Sequence, residues 1–407
     1  MNIKRVMFIT LFSAVVSCGF AQATLLHTDG IYQFEYPETF DGIEEVSRAF
    51  TSFHRYYADF FRFADQSGTS LLRVVILPDR DSFETYIQNR IGERRSGFIF
   101  LKYAKKELSE LVLYPSLSAS GETLRGFDAF AGPVLLRQLY LQYLYAHVSE
   151  PPLWVRDGFQ ACFETLNWDS QTGAVRETSG EPWLESAKSS YADSQKRLPA
   201  SAILSAVTGS YEAVRFYPQA WAFATFLKTT ENPEYQRFLY ETFIILGNNG
   251  RYNDSSLQEN TDSVKIRFVR FFDAAEADEN FAVWLSGKYT FNELIQFGVT
   301  LYNSGEYAAA GKRLREAALI RPQDPLVSYY LGLVAYSEKN YEEARTRYIQ
   351  AQQFGAEAST VLWALALNAW SSGDMAEAKK HLLSVKETNP GKYGERADKL
   401  LQSIPSP

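Results

Sequence analysis

Hydrolysis at a bound metal needs imidazole and carboxylate ligands at fixed spacings, and this 407-residue sequence has only four histidines, His27, His54, His147 and His381. H-E-x-x-H does not occur, so no helix carries two imidazoles at i and i+4 with a glutamate beside the first. His147, Glu150, Asp157 and Glu164 form the densest run of ligand-type residues, with His54 far away in sequence. His147 falls at a helix end and reads as a surface histidine. Asp157 and Glu164 fall on opposite halves of one helix and read as solvated carboxylates or members of ion pairs. Cys162, between Ala161 and Phe163, reads as a buried inert thiol, because no histidine is placed to form the thiolate. G-x-S-x-G, P-loop and G-x-G-x-x-G motifs are all missing, so neither an activated serine nor a phosphate cradle is indicated. The sequence assigns no catalytic residue, no metal and no cofactor.

The elements that would position these groups come in a definite order. Asp41–Ala64 reads as an aromatic-rich helix, Leu71–Leu77 as an apolar strand ended by Pro78, and Asp79–Arg90 as a helix capped by Asp79. Phe98–Leu101 and Leu111–Tyr114 read as short strands of the same sheet. Phe127–Ala146 is a long apolar helix stopped by Ser149-Glu150-Pro151-Pro152, and Trp154–Leu166 is a second helix. Asn167–Glu181, rich in Gly, Ser and Thr, reads as a loop, and 183–286 is mostly helical.

From 291 the pattern becomes periodic. Phe297-Gly298, Tyr302, Gly305, Tyr307, Ala310, Leu314 and Ala317 recur 34 residues on as Leu331-Gly332, Tyr336, Lys339, Tyr341, Ala344, Tyr348 and Ala351. They recur again as Leu365-Ala366, Trp370, Gly373, Met375, Ala378, Leu382 and Val385. Small residues stay at small positions and large at large, which is the requirement for stacked helix pairs. The stretch 291–391 resembles three tetratricopeptide repeats, with Lys392–Ser403 as a capping helix. By that resemblance the first helix of each repeat lines a groove, with Ile295, Tyr329 and Trp363 in one row and Tyr302, Tyr336 and Trp370 in the next. Asn303, Ser337 and Ser371 lie beside them, so the strip would hold a protein or peptide segment on aromatic anchors.

The upstream order of strands, long helix, proline stop and second helix resembles the gluzincin metallopeptidases over roughly 30–285, in particular peptidase-MA-like domains. Two segments carry the likeness. Pro152-Leu153-Trp154-Val155-Arg156-Asp157-Gly158-Phe159 with Phe163-Glu164 is similar to W-L-x-E-G-x-A-x-Y-F-E, and Tyr217-Pro218-Gln219-Ala220-Trp221-Ala222 to Y-x-Q-A-W-A. The resemblance puts the zinc motif at Arg137-Gln138-Leu139-Tyr140-Leu141, where Arg137 cannot ligate, Gln138 cannot act as a base and Leu141 offers hydrocarbon. Asp157 stands where the third ligand would be. On the family's geometry Arg137 points at Asp157, its guanidinium replacing the metal between the two helices.

Charge and export signals narrow the rest. The net charge is -7, and 291–407 holds 13 basic and 13 acidic residues, so no clustered Lys/Arg surface indicates nucleic acid. Lys4-Arg5 followed by the apolar run Val6–Val16 is a secretory signal, too short to span a bilayer. Cleavage after Ala21-Gln22-Ala23 would leave Thr24 first; alternatively Val15-Val16-Ser17-Cys18 is a lipobox with Cys18 lipidated. The expected fold is an α+β N-terminal domain, gluzincin-like, followed by an all-α tetratricopeptide-repeat solenoid. The expected segments are 1–23 (signal), 24–286 (pseudopeptidase), 291–391 (repeats) and 392–407 (cap and tail). The expected function is a non-catalytic exported binding or scaffold protein of the periplasm, membrane-associated only through Cys18. A residual hydrolase of the peptidase-MA-like class and a lipid-anchored structural component of an envelope complex are the alternatives.

Overall fold

The computed structural model describes residues 24–63, 71–178 and 183–404, which divide into two compact units at Gly287/Lys288. Cys18 and both processing sites lie outside the described residues.

The first unit is α+β. Its sheet is built from β1 (Thr24–Asp29), β2 (Tyr32–Pro37), β3 (Leu72–Ile76), β4 (Ile99–Leu101) and β5 (Glu110–Leu113), in the order β1-β2-β3-β5-β4. β1/β2 and β4/β5 are antiparallel, while β2/β3 and β3/β5 are parallel. The two parallel pairings need crossovers, supplied by α1 (Ile43–Phe61) and α2 (Arg80–Ile91). Alternation along each strand sends Tyr32, Phe34, Val74, Ile76, Leu111 and Leu113 into the main core. Val75, Leu101 and Val112 face the other way, onto Phe83 and Ile87 of α2. Asp79 caps α2 by accepting the Ser82 N–H at 2.8 Å.

α3 (Pro133–His147) starts later than the apolar run suggests, because Pro133 fits the first helical turn and Phe127 lies in a short 3₁₀ turn. Trp154–Gly158 forms a π-helical turn that runs into the short α4 (Phe159–Phe163). Residues 167–178 are not a plain loop, since β6 (Leu166–Trp168) and β7 (Val175–Glu177) pair as a hairpin, and the rest of the expected loop, 179–181, lies outside the described residues. Leu166 and Trp168 are buried and Asn167 is exposed, a period of two too short to read against its Gly/Ser/Thr surroundings. α5 (Leu184–Ala192), α6 (Ala200–Leu204), α7 (Ala213–Thr229), α8 (Pro233–Leu246), α9 (Leu257–Phe271) and α10 (Ala274–Ser286) complete the unit. Much of the aromatic content of the first unit fills its core: Phe61, Tyr140 and Phe163 meet with ring centroids 5.1–6.0 Å apart.

The second unit is entirely helical among its described residues: α11 (Phe291–Asn303), α12 (Tyr307–Ile320), α13 (Pro325–Ser337), α14 (Tyr341–Gln353), α15 (Ala358–Ser372), α16 (Met375–Thr388) and α17 (Pro390–Ser403). It is a repeat-like stack of helix pairs. Size complementarity sets each pair: a Cβ on Gly332 would lie 2.5 Å from the Tyr348 ring, and one on Gly298 would lie 2.7 Å from Leu314. The turn inside each pair uses one left-handed residue at the same repeat position, Gly305 (φ 80°), Lys339 (φ 62°) and Gly373 (φ 88°). Lys339 therefore bears a side chain where its neighbours have none. Lys339→Gly is expected to stabilise this unit by about 0.5–1 kcal/mol, read as a higher urea midpoint at unchanged slope.

Candidate functional site

The segment that the metallopeptidase resemblance singles out lies on α3, whose face formed by Leu135, Leu136, Leu139, Tyr140, Tyr143 and Leu144 is buried. Two of the flanking polar residues, Gln138 and Gln142, are committed to backbone partners. Gln138 Oε1 accepts the Phe100 backbone N–H at 2.8 Å, closing an edge group of β4. Gln142, one turn on and fully buried, donates from Nε2 to the Arg73 carbonyl of β3 at 2.9 Å. Leu141 is half-buried.

Arg137 does not face Asp157. Its Nε lies 3.3 Å from Glu164 Oε2 and donates to the Pro133 carbonyl at 3.3 Å. Asp157 is instead held by its neighbour, with Arg156 Nε donating to Oδ1 at 2.6 Å and an Arg156 terminal nitrogen to Oδ2 at 2.9 Å. Asp157 sits within the π-helical turn, where an extra residue per turn rotates the downstream side chains by about 100° relative to an α-helix. Glu164, read as solvated, is only 8% exposed and sits at the C-cap of α4. Its Oε1 accepts the Trp183 indole N–H at 2.6 Å. Burial pushes the Glu164 carboxyl up, against the opposing pull of Trp183 and Arg137.

Tyr217, on the first turns of α7, completes the cluster. Its hydroxyl is buried beside Arg137 without a hydrogen bond of ordinary geometry, and burial raises its pKa, with Glu164 adding to the rise. Its ring meets Trp183 edge-on at 4.9 Å. Arg137, Glu164, Trp183 and Tyr217 are thus brought together from four parts of the chain. Glu164 and Tyr217 lie inside the two segments that carry the metallopeptidase likeness; the signal for Glu164 was an acid closing an otherwise apolar helix. Gln219, two residues beyond Tyr217, is fully buried and structural. It accepts the Leu198 N–H at 2.8 Å and donates to the carbonyls of Lys196 and Arg215.

Nothing here assembles a metal site: among the described residues no three His, Cys, Asp or Glu side chains converge as a metal would require. His147 is not a surface residue, being 7% exposed and packed on Phe63 and Tyr143 with ring centroids 5.0 and 4.9 Å away. Cys162 is buried beside Thr225, and burial pushes its thiol up to about 11, the reverse of nucleophile activation.

In the second unit, Ile295, Tyr302, Tyr329, Tyr336, Trp363 and Trp370 are all half-buried and Asn303 is exposed. Tyr336 hydrogen bonds Ser371 at 2.8 Å and Ser337 donates to the Tyr302 hydroxyl at 3.5 Å, so hydroxyls link successive helix pairs. Trp363 stacks on Tyr393 of α17 at 5.3 Å and Tyr329 packs on buried Tyr348 at 5.8 Å. No protein family and no curated protein matches the sequence. No helix among the described residues is long and apolar enough to cross a membrane.

Proposed function

We propose that this chain is an exported, non-catalytic binding protein in which a degenerate gluzincin-like domain precedes three tetratricopeptide-type repeats whose groove holds a protein or peptide partner. The observation that carries the non-catalytic half is the engagement of Arg137 by buried Glu164, together with Gln138 plugging the β4 edge. A base and two imidazoles would be needed at that place, and Arg137, Gln138 and Leu141 supply neither. The binding half rests on the half-buried aromatics that recur every 34 residues along α11, α13 and α15, a rigid strip with low entropy cost on contact.

Two measurements test the halves separately. The mature protein, purified without added metal, should contain no stoichiometric zinc by elemental analysis and cleave no peptide; one chelator-removable zinc per chain with a linked activity would end the reading. Tyr336→Ala with Trp370→Ala should reduce crosslinked partner recovered from envelope extract about tenfold at unchanged helicity. Loss of helicity would make these rings core, and full recovery would place the partner elsewhere. Mass spectrometry of the mature N-terminus separates a chain starting at Thr24 from one acylated at Cys18.

A further inference from the structure

A cleft of about 620 Å³ opens beside the Arg137–Glu164 pair, between α5 and the first turns of α7, and that is the size of sites for small organic ligands. One wall is apolar, formed by Trp183, Tyr217, Pro218 and Val214, and Val214 is 77% exposed. The facing wall is one side of α5, where Ser186, Ser189 and Ser190 fall at i, i+3 and i+4, and none of their hydroxyls is bonded to a described residue. The charge comes from Arg137, 35% exposed. Its Nε faces Pro133 and Glu164, and its terminal nitrogens, with four N–H donors, lie beside the Tyr217 hydroxyl at the partly exposed end of the side chain.

A fork of donors above a row of hydroxyls, beside an apolar wall, calls for a ligand that brings acceptors at one end and hydrocarbon at the other. The acidic groups set its charge. Glu164 lies beside the guanidinium and exposed Glu185 lines the cleft, so a monoanion meets about half the repulsion of a dianion while a planar carboxylate still fits the guanidinium fork. We propose that this cleft binds a small organic monocarboxylate, its carboxylate on the terminal nitrogens of Arg137 and the α5 serines, its apolar body against Trp183, Tyr217 and Val214. The site is read wholly within the first unit, so it stands or falls independently of partner capture by the repeats.

The test titrates octanoate and benzoate into the full-length mature protein by calorimetry, with octanamide and inorganic phosphate as controls. At least one carboxylate should bind saturably at one per chain, octanamide about tenfold more weakly, and phosphate not at all. Arg137→Gln should weaken carboxylate binding about tenfold or more. Because Arg137 also pairs with Glu164, Val214→Glu on the exposed lip is the second variant; it should weaken binding about tenfold by repulsion, whereas Glu185→Gln should tighten it several-fold. Equal affinity for octanoate and octanamide, indifference to Val214→Glu, or no saturable binding below about 10 mM would each overturn the proposal.

Discussion

Gly158→Ala is expected to destabilise the first unit by about 3 kcal/mol, a large effect for a single methyl group. Gly158 ends the π-helical turn with ordinary helical dihedrals, so the cost is not conformational. A Cβ there would lie 2.5 Å from the Ala220 carbonyl oxygen and 3.0 Å from Ala224 Cβ, both on α7. A flexible side chain could move aside, but a carbonyl inside a helix moves only with its helix. α7 is buried along Ala220–Leu227 and its neighbour Gln219 is tied to the Leu198 loop, so displacement disturbs several contacts at once. Urea unfolding of the variant should show the first unit melting early while the repeats melt as before. Gly391→Ala in α17, where nothing lies within 4 Å of the added carbon, is the matched control and should be neutral or slightly stabilising. Equal midpoints for Gly158→Ala and the wild type would mean that the π-helical turn and α7 do not approach this closely.

Removing the guanidinium of Arg137 is the second large expected effect. Arg137→Leu leaves Glu164, 8% exposed, with only the Trp183 indole as a charge-stabilising donor. An orphaned buried carboxylate costs about 3–5 kcal/mol, and because Arg137 is 35% exposed and its pairing is partly screened, about 2 kcal/mol is expected here. Glu164→Gln keeps an acceptor for the indole, so the double variant should recover most of the loss, with a coupling above about 1 kcal/mol. Asp157→Asn is the discriminating partner: paired with Arg137→Leu it should be additive within about 0.5 kcal/mol, because Asp157 belongs to Arg156. Strong coupling to Asp157 and none to Glu164 would restore the arrangement suggested by the metallopeptidase resemblance.

That reversal shows where sequence reading stops. Hydrophobic period placed β3, α2, β4 and β5 to within a residue or two, and the 34-residue recurrence marked the second unit as a stack of helices, because small and large residues are fixed by facing surfaces. Register within Trp154–Gly158 is different. A π-helical turn has no propensity signal of its own, and its extra residue changes which side chains downstream of it look toward α3. The hairpin β6–β7 and the strands β1 and β2 went unread for another reason: each is six residues or fewer, too short for a period of two to stand out, and β2 also takes its stability from β3, about 40 residues on, which a local window does not contain.

The two units also close their contacts over different lengths of chain. Tyr56 reaches Glu177 across 121 residues, Asn260 reaches Glu150 across 110, and the parallel strands must wait for whole helical crossovers. In the repeats, the hydroxyl link from Tyr336 to Ser371 spans 35. Search time rises with such separation, so the repeats, although downstream of the first unit, are expected to reach their native form before it. The first unit is then the slow partner, and while it waits the uncharged run Leu111–Leu113 and its neighbour Val74–Ile76 are open to pairing with other chains. The buried central strands of the finished protein are, during folding, the stretch most in need of shielding.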